Sequence, residues 1–163
     1  MESRPARAKT PAQSRVQLHQ LMLPGHANPY GNVHGGVVLK IIDEAGAIAA
    51  MRHAQRPCVT VAMDSVTFLS PVHLGEVIRC TAQVTYVGRT SLELEVDVVA
   101  EDPLTGRITH TNSAYLVYVA LDDQGAPTEV PPLELDTDEA RLRWQRAERR
   151  QQDRLAARRS PSV

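Results

Sequence analysis

The sequence contains few aromatic residues and few cysteines, and it has no long apolar run. Phe, Trp and Tyr together make up 4% of the 163 residues, so the core must be built mainly from aliphatic side chains, and base-stacking platforms are not expected. Cys58 and Cys80 are the two cysteines, too few for a disulfide framework, and both should be buried and reduced. No apolar run approaches the roughly 20 residues that cross a membrane. We therefore expect a cytoplasmic protein without membrane contact.

Charge is nearly balanced over the whole chain but unevenly distributed along it. Lys and Arg number 18 and Asp and Glu number 19, which gives a net charge of -1. Residues 136–163 contain eight arginines against five acidic residues. This basic segment is either a solvated helix or disordered tail, or a surface that attracts the phosphates of an anionic ligand or of nucleic acid. The remaining chain is acidic, so we expect no nucleic-acid partner for the body of the protein.

Hydrophobic periodicity predicts one strand, one long helix and then four more strands. The predicted helix spans residues 36–53, and the predicted strands are 16–23, 58–69, 76–87, 92–98 and 108–121. An isolated strand and helix followed by an antiparallel run indicate an α+β fold whose sheet buries one face on the helix. The charged alternate residues of the 92–98 strand predict that the other face is solvated.

Prolines and charge divide the chain into three predicted segments. Residues 1–13 are expected to form a flexible N-terminus, and residues 14–132 a single domain. Pro127, Pro131 and Pro132 then mark a linker. Residues 133–163 form an Arg-rich C-terminal tail, helical or disordered.

The segment 28–46, NPYGNVHGGVVLKIIDEAG, combines the residue types that an active site needs. Asn32 supplies an amide, and Gly35 and Gly36 open the helix, where the first N–H groups lack partners within the helix and can polarise a carbonyl. Asp43 lies nearly two turns further on, among small apolar residues, and can act as a base or nucleophile. Taken singly, Asn32 is also a natural turn residue and Asp43 an ordinary helix residue. Their joint occurrence favours catalysis.

Three further motifs accompany the GNVHGG loop at 31–36: DEAG at 43–46, FLSPVHLG at 68–75 and VGRTS at 87–91. With these four motifs in register, the sequence resembles the hotdog-fold acyl-CoA thioesterases of the cytosolic acyl-CoA hydrolase type over about residues 14–132. The resemblance implies a curved antiparallel sheet wrapped around one long central helix. It also implies hydrolysis of acyl-CoA to a free acid and CoA, with no cofactor because coenzyme A is part of the substrate.

The resemblance also implies roles for individual residues. The family's catalytic amide matches Asn32 and its catalytic acid matches Asp43. The segments that bind CoA match Thr60, Val61, Arg89, Thr90 and Ser91. In this family two domains join their sheets and each site draws on both, so we expect a homodimer at minimum, assembling further as a trimer of dimers. His34, with Gly35 and Gly36, is expected to polarise or position the thioester, although packing of His34 beside the acyl chain is an equal alternative.

Two other functions remain open at this point. A hotdog-fold enoyl-thioester hydratase or dehydratase could use His34 with Asp43, which leaves Asn32 without a role. A non-catalytic acyl-CoA-binding module with a basic contact tail would not need Asp43 as a water-activating group. A metal site is not expected, because the histidines lack ligand spacing, and neither a Gly-x-Ser-x-Gly elbow nor a phosphate-binding P-loop is present.

Overall fold

A computed structural model describes residues 7–159, without the side chains of 158 and 159. The elements in chain order are α1 (Pro11–Ser14), β1 (Val16–Leu21), a short 3₁₀ helix (Pro24–His26), α2 (Gly35–Ala54), β2 (Cys58–Phe68), β3 (Val77–Val87), β4 (Ser91–Glu101), β5 (Ile108–Ala120) and α3 (Asp138–Arg159). The predicted order of a strand, a long helix and four strands is confirmed. The two short helices were not predicted, since three or four residues are too few to produce a periodic pattern. Within this described part of the chain, no helix is both long and apolar enough to span a bilayer.

The five strands form one antiparallel sheet in the order β1-β3-β4-β5-β2. Strands β1 and β2 are therefore the two edges, and β2 is hydrogen-bonded to β5 along one side only. In the middle of the central strands, between their bulges, the even-numbered residues are buried in the core with α2, among them Ile78, Cys80, Leu94, Leu116 and Tyr118. The α+β fold predicted from the sequence, a curved sheet against one long helix, is confirmed.

Helix α2 lies across the inner face of this sheet. Val38, Ile41, Ile42, Ala45 and Ala49 are buried on it, and their spacing of three and four residues forms one apolar stripe. The helix begins after His34 and ends at Gln55, which adopts a left-handed conformation with φ 53°. The stripe fixes the rotation of the helix, and that rotation sets the direction in which Asp43 points.

The outer face of the sheet is not fully solvated, which corrects the sequence-based prediction for β4. Glu93 is 1% exposed, because Arg150 and Arg154 of α3 both form ion pairs with its carboxylate. Trp144 of α3 also packs against Tyr86, with ring centroids 4.4 Å apart. The Arg-rich tail is thus a helix docked on the sheet. The sequence did not indicate this docking because the apolar part of the contact is short (Ala140, Trp144 and Ala147) and the rest is charged.

The N-terminal segment is described only from residue 7, so part of the predicted flexible stretch 1–13 lies outside the described residues. The ammonium of Lys9 donates to the backbone oxygens of Arg52 and His53, at 2.7 and 2.8 Å, at the end of α2. The Lys9 N–H also donates to the oxygen of Pro132, at 3.0 Å. These bonds connect the segment before the domain to the linker after it.

Candidate active site

The loop before α2 carries two asparagines whose positions are fixed by local hydrogen bonds. Oδ1 of Asn28 accepts from the backbone N–H groups of Tyr30 and Asn32, at 2.9 and 3.1 Å. The N–H of Asn28 donates to the oxygen of Asn32 at 2.7 Å. Gly31 has φ 85°, a conformation that favours glycine. The loop is therefore a preformed turn, with both side chains attached to its rigid part.

The amide of Asn32 has a second fixed contact across the loop. Its Oδ1 lies 3.0 Å from Nδ1 of His73, and because an amide oxygen only accepts, the imidazole Nδ1 is the donor. A backbone bridge also pairs Asn32 with His73. The side-chain oxygen of Asn28 is occupied by N–H groups of the loop and that of Asn32 by His73, so each amide presents its N–H₂ group as the remaining hydrogen-bonding group.

His34 is the N-cap of α2. Its ring Nδ1 accepts from the N–H of Gly36 at 2.9 Å, so a neutral ring carries its proton on Nε2. The N–H groups of Gly35 and Gly36, which were predicted to donate to a substrate carbonyl, are therefore not equivalent. The Gly36 N–H already has an acceptor, whereas among the described residues no hydrogen bond from the Gly35 N–H is found. Gly35 and the exposed Nε2 of His34 are the donors that remain at this helix end.

The loop asparagines line a cavity of about 280 Å³ at the N-terminus of α2. Asn28, Asn32 and Gly35 form its polar side, and apolar side chains such as Val38 and Phe68 form the other. We call this region the loop half-site. It combines amide donors with an apolar wall, the two features that bind a carbonyl attached to a hydrocarbon chain.

Asp43 lies in a separate place, the carboxylate half-site, with Thr60 of β2 and Tyr118 of β5. Its side chain is half-buried. The Thr60 hydroxyl donates to Oδ1 of Asp43 at 2.7 Å, and the Tyr118 hydroxyl lies 3.0 Å from the same oxygen. Among the described residues Oδ2 accepts no hydrogen bond. One carboxylate oxygen is thus held by two hydroxyl groups, and the other is left to react.

Within one chain the two half-sites do not meet. Asp43 lies eight residues beyond Gly35, which is about 12 Å along a helix. In the described part of the chain no hydrogen bond joins Asp43 to Asn28 or Asn32. A single protomer therefore does not bring Asp43 and Asn32 together, and the sequence-based prediction draws these two residues from different protomers.

The five predicted CoA-binding residues fall into three groups. The hydroxyl of Thr60 is directed at Asp43. Val61, Thr90 and Ser91 share a cavity of about 210 Å³ that Arg154 of α3 also lines. Arg89 lines a different cavity, of about 340 Å³, with Trp144.

No metal centre is found among residues 7–159. The described His, Cys, Asp and Glu side chains form no group of three or more that could hold an ion. The carboxylate half-site instead contains only a carboxylate and two hydroxyl groups, the donor set of an acid–base site.

Three residues of these half-sites were not singled out from the sequence: Asn28, His73 and Tyr118. Asn28 precedes Pro29 in a turn-rich loop, so an Asx turn was a detectable signal. His73 and Tyr118 gave no such signal. Their roles depend on which strands are neighbours and in what register.

The sequence of the chain is similar to a known protein family and to several known proteins. A family model described as the thioesterase superfamily matches residues 30–107. The chain is 34% identical over 145 residues to the VdlD protein of Helicobacter pylori, covering 89% of this chain and 83% of that protein. It is 35% identical over 127 residues to the uncharacterized acyl-CoA thioester hydrolase YkhA of Bacillus subtilis, covering 78% and 74%. It is 40% identical over 135 residues to the human (Homo sapiens) cytosolic acyl coenzyme A thioester hydrolase, covering 78% of this chain but only 36% of that protein.

Solved structures show the same similarity in three dimensions. The crystal structure of an apo hexameric acyl-CoA thioesterase matches with a TM-score of 0.90 at 35% identity, covering 95% of this chain and 99% of that one. An acyl-CoA hydrolase from Staphylococcus aureus, solved with butyryl coenzyme A, coenzyme A and coenzyme A disulfide, matches with a TM-score of 0.82 at 32% identity, covering 93% and 94%. That hydrolase was also solved as alanine variants at Asp43, Asn28 and Thr60 of its own numbering. The present chain has the same three residue types at the same three numbers.

Proposed function

The chain belongs to the thioesterase superfamily, among the hotdog-fold acyl-CoA thioester hydrolases, and we propose that it hydrolyses acyl-CoA to a free carboxylic acid and coenzyme A. The observation that carries this proposal is Asp43. It is a half-buried carboxylate with one oxygen held by Thr60 and Tyr118 and the other left unbonded by the described residues. Such an oxygen can accept a proton from water or attack a thioester carbon.

The loop half-site supplies the electrophilic assistance. The side-chain oxygens of Asn28 and Asn32 are occupied, so each amide has only its N–H₂ group left to contact a substrate. A hydrogen-bond donor at this place stabilises the oxyanion that develops on the thioester carbonyl. Gly35 N–H adds a third donor at the positive end of the helix dipole. We assign the amide role to both asparagines: Asn32 from the sequence motif, and Asn28 from its position in the cavity and the matching variant of the S. aureus hydrolase.

The reaction then needs no cofactor and no metal. Water attacks the carbonyl carbon while Oδ2 of Asp43 takes its proton, or Oδ2 attacks and forms an anhydride that water opens. In both cases the C–S bond breaks, and CoA leaves as a thiolate that takes up a proton. The thiolate is a good leaving group, so no strong acid is needed at sulfur.

A second copy of this chain completes the site in this proposal. Edge strand β2 carries Thr60 and exposes Val59 and Val61, at 43% and 45% exposure. A long edge strand with apolar residues is suited to pairing with another sheet. Pairing along β2 joins two sheets and brings the carboxylate half-site of one protomer next to the loop half-site of its partner. The similarity to a hexameric thioesterase supports a trimer of such dimers.

The substrate fits this arrangement in two parts. The apolar wall of the 280 Å³ cavity accepts the acyl chain. We propose that Thr60, Val61 and the 89–91 turn contact the CoA moiety. Backbone groups of the strand and the turn form hydrogen bonds with its amides and phosphates. The human relative is named a cytosolic hydrolase, and we propose a cytoplasmic location here too.

A chain-length series of acyl-CoA esters tests this function, with release of free thiol as the readout. We expect turnover for at least one chain length in the wild type, and we expect Asp43→Asn to lower kcat by at least about a hundredfold while retaining CoA-ester binding. Water addition to an enoyl thioester with the thioester bond intact would identify a hydratase. Binding without thiol release for any ester would identify a non-catalytic module.

A further inference from the structure

Tyr118 is a buried titratable group that the proposed reaction does not itself use. It lies on β5 and is 0% exposed. Its hydroxyl is 3.0 Å from Oδ1 of Asp43 and 3.0 Å from the backbone oxygen of the same residue. One phenol thus contacts the side chain and the main chain of Asp43 together, which restricts the carboxylate to one rotamer.

The position of this hydroxyl depends on a glycine one turn further along α2. A Cβ added at Gly46 would overlap the Tyr118 hydroxyl, and it would also press on the Cζ and Cε2 atoms of the ring, at 3.1 and 3.2 Å. Gly46 is helical and fully inside the structure, where alanine would otherwise be the better helix former. The missing side chain therefore leaves the space that the phenol occupies.

In this contact Tyr118 is the hydrogen-bond donor and Asp43 is the acceptor. Burial, and next the charge of Asp43, raise the pKa of Tyr118 above its usual value, so the phenol stays protonated at any ordinary assay pH and is the donor in its bond to the Asp43 carboxylate. A hydrogen bond donated to a carboxylate favours the ionised carboxylate.

Few other titratable groups surround the pair. On β2 the thiol of Cys58 is half-buried, and burial raises its pKa to about 11, so it carries no charge near neutrality. On α2 itself, Glu44 follows Asp43 and pairs with Lys40 at 3.7 Å on the exposed side. Thr60 is the other donor to Oδ1 and does not titrate. Of these two donors, the phenol is the one that also contacts the main chain of Asp43.

We propose that Tyr118 is a positioning residue of the hydrolase, holding the Asp43 carboxylate in one orientation through a donated hydrogen bond, and that the space at Gly46 admits it. This inference rests on the proposed function, since it has meaning only if Asp43 reacts. It assigns Tyr118 no contact with the substrate. It predicts an effect on kcat and on the pH dependence of the rate, with little effect on KM.

The test compares Tyr118→Phe with Tyr115→Phe in the full chain. Tyr115 lies on the same strand but on the opposite face, where its hydroxyl donates to Glu95, so this variant controls for loss of a phenol from β5. For Tyr118→Phe we expect kcat near neutrality to fall about tenfold, and the acid limb of the kcat profile to move up by about one pH unit, the size of one lost bond to a charged group. A Tyr118→Phe profile that superposes on those of the wild type and Tyr115→Phe would overturn the inference.

Gly46→Ala gives a second route that does not remove the phenol. We expect it to move the acid limb in the same direction as Tyr118→Phe, and to reduce kcat less in the Tyr118→Phe background than in the wild type, because the overlap with the hydroxyl is then absent. Equal kcat losses in the two backgrounds would contradict the inference. Asp43→Asn separates the two proposals. If the wild type releases no thiol from any ester, the proposed function is wrong. If Asp43→Asn keeps full activity, the catalytic role of Asp43 is wrong and the role of Tyr118 falls with it, whereas if Asp43→Asn is inactive and Tyr118→Phe is unaltered, only the role of Tyr118 is wrong.

Discussion

Nδ1 of His73 lies 3.0 Å from Oδ1 of Asn32, and this bond joins the loop before α2 to the connection between β2 and β3. It fixes the orientation of the Asn32 amide, so that the nitrogen is directed away from the ring. The position of His73 is fixed in turn, since its backbone N–H donates to Glu76 at 2.8 Å. The amide is therefore oriented before any substrate arrives.

Removing the His73 ring should free that amide to rotate. We expect His73→Ala to lower kcat about five- to tenfold, the effect of one neutral hydrogen bond, with the protein still folded. His73→Asn can place an amide N–H near the former Nδ1 and should recover much of the loss. Steady-state kinetics on the preferred ester measure both, with His110→Gln on the outer sheet face as control. Equal losses in the Ala and Asn variants would argue against an orienting bond.

The two loop asparagines can be tested as donors by changing each to aspartate. Asn28→Asp and Asn32→Asp retain the side-chain oxygen that the loop uses but replace the N–H₂ donor with a carboxylate oxygen. We expect each variant to lower kcat by about a hundredfold, the effect of losing one oxyanion donor, with little change in thermal stability. A variant with full activity would show that its asparagine serves only the turn.

The ion pairs between α3 and Glu93 should hold the C-terminal helix on the sheet. Glu93 is buried and bonded to both Arg150 and Arg154, so removing both arginines leaves a buried carboxylate without a cation. We expect the double variant Arg150→Ala/Arg154→Ala to lose about 3–5 kcal/mol of unfolding free energy. Urea unfolding measures this, and Arg149→Ala, on the exposed side of α3, is the matched control. A double variant as stable as Arg149→Ala would mean that the pairs do not stabilise the helix.

His53 should make the stability depend on pH. It is fully buried, with Nε2 2.9 Å from the oxygen of Pro131, and burial lowers its pKa in the folded protein. The unfolded chain then binds a proton more readily than the folded one, so this stability is present above about pH 6.5 and is lost as the pH falls below it.

The comparison of His53→Gln with the wild type isolates this contribution. We expect the fall in Tm between pH 7 and pH 5 to be smaller in His53→Gln than in the wild type, measured by thermal unfolding. His19→Gln, at an exposed position on β1, should reproduce the wild-type fall. Parallel Tm curves for the wild type and His53→Gln would contradict the assignment.

The local pattern of apolar residues predicted the long helix and the strands, but not which residues distant in the chain come into contact. Period-two alternation located β3 and β4, and the helical spacing of apolar residues located α2, because each depends only on neighbours in the chain. The same logic placed Asp43 on α2. The contact between Tyr118 and Asp43 could not be predicted, since it requires β5 to lie beside β2 at one particular register.

The alternating sequence pattern also failed to predict that a charged residue is buried. Glu93 occupies an outward position of β4, for which alternation predicts solvent, and only the docking of α3 places it among cations. The apolar stripe of the tail consists only of Ala140, Trp144 and Ala147, which is too short to predict that docking. Whether Asn32 meets Asp43 depends on a second protomer, which the residue order of one chain does not specify.

We propose that each active site combines the loop half-site of one protomer with Asp43 of its partner. Mixing Asp43→Asn protein with Asn32→Asp protein, each nearly inactive alone, tests it directly. After co-expression, a mixed dimer has one site with both native residues, so a random mixture should recover about a quarter of wild-type kcat per chain. Activity of the mixture no greater than the mean of the two separate variants would show that the two residues act within one chain, contrary to this account.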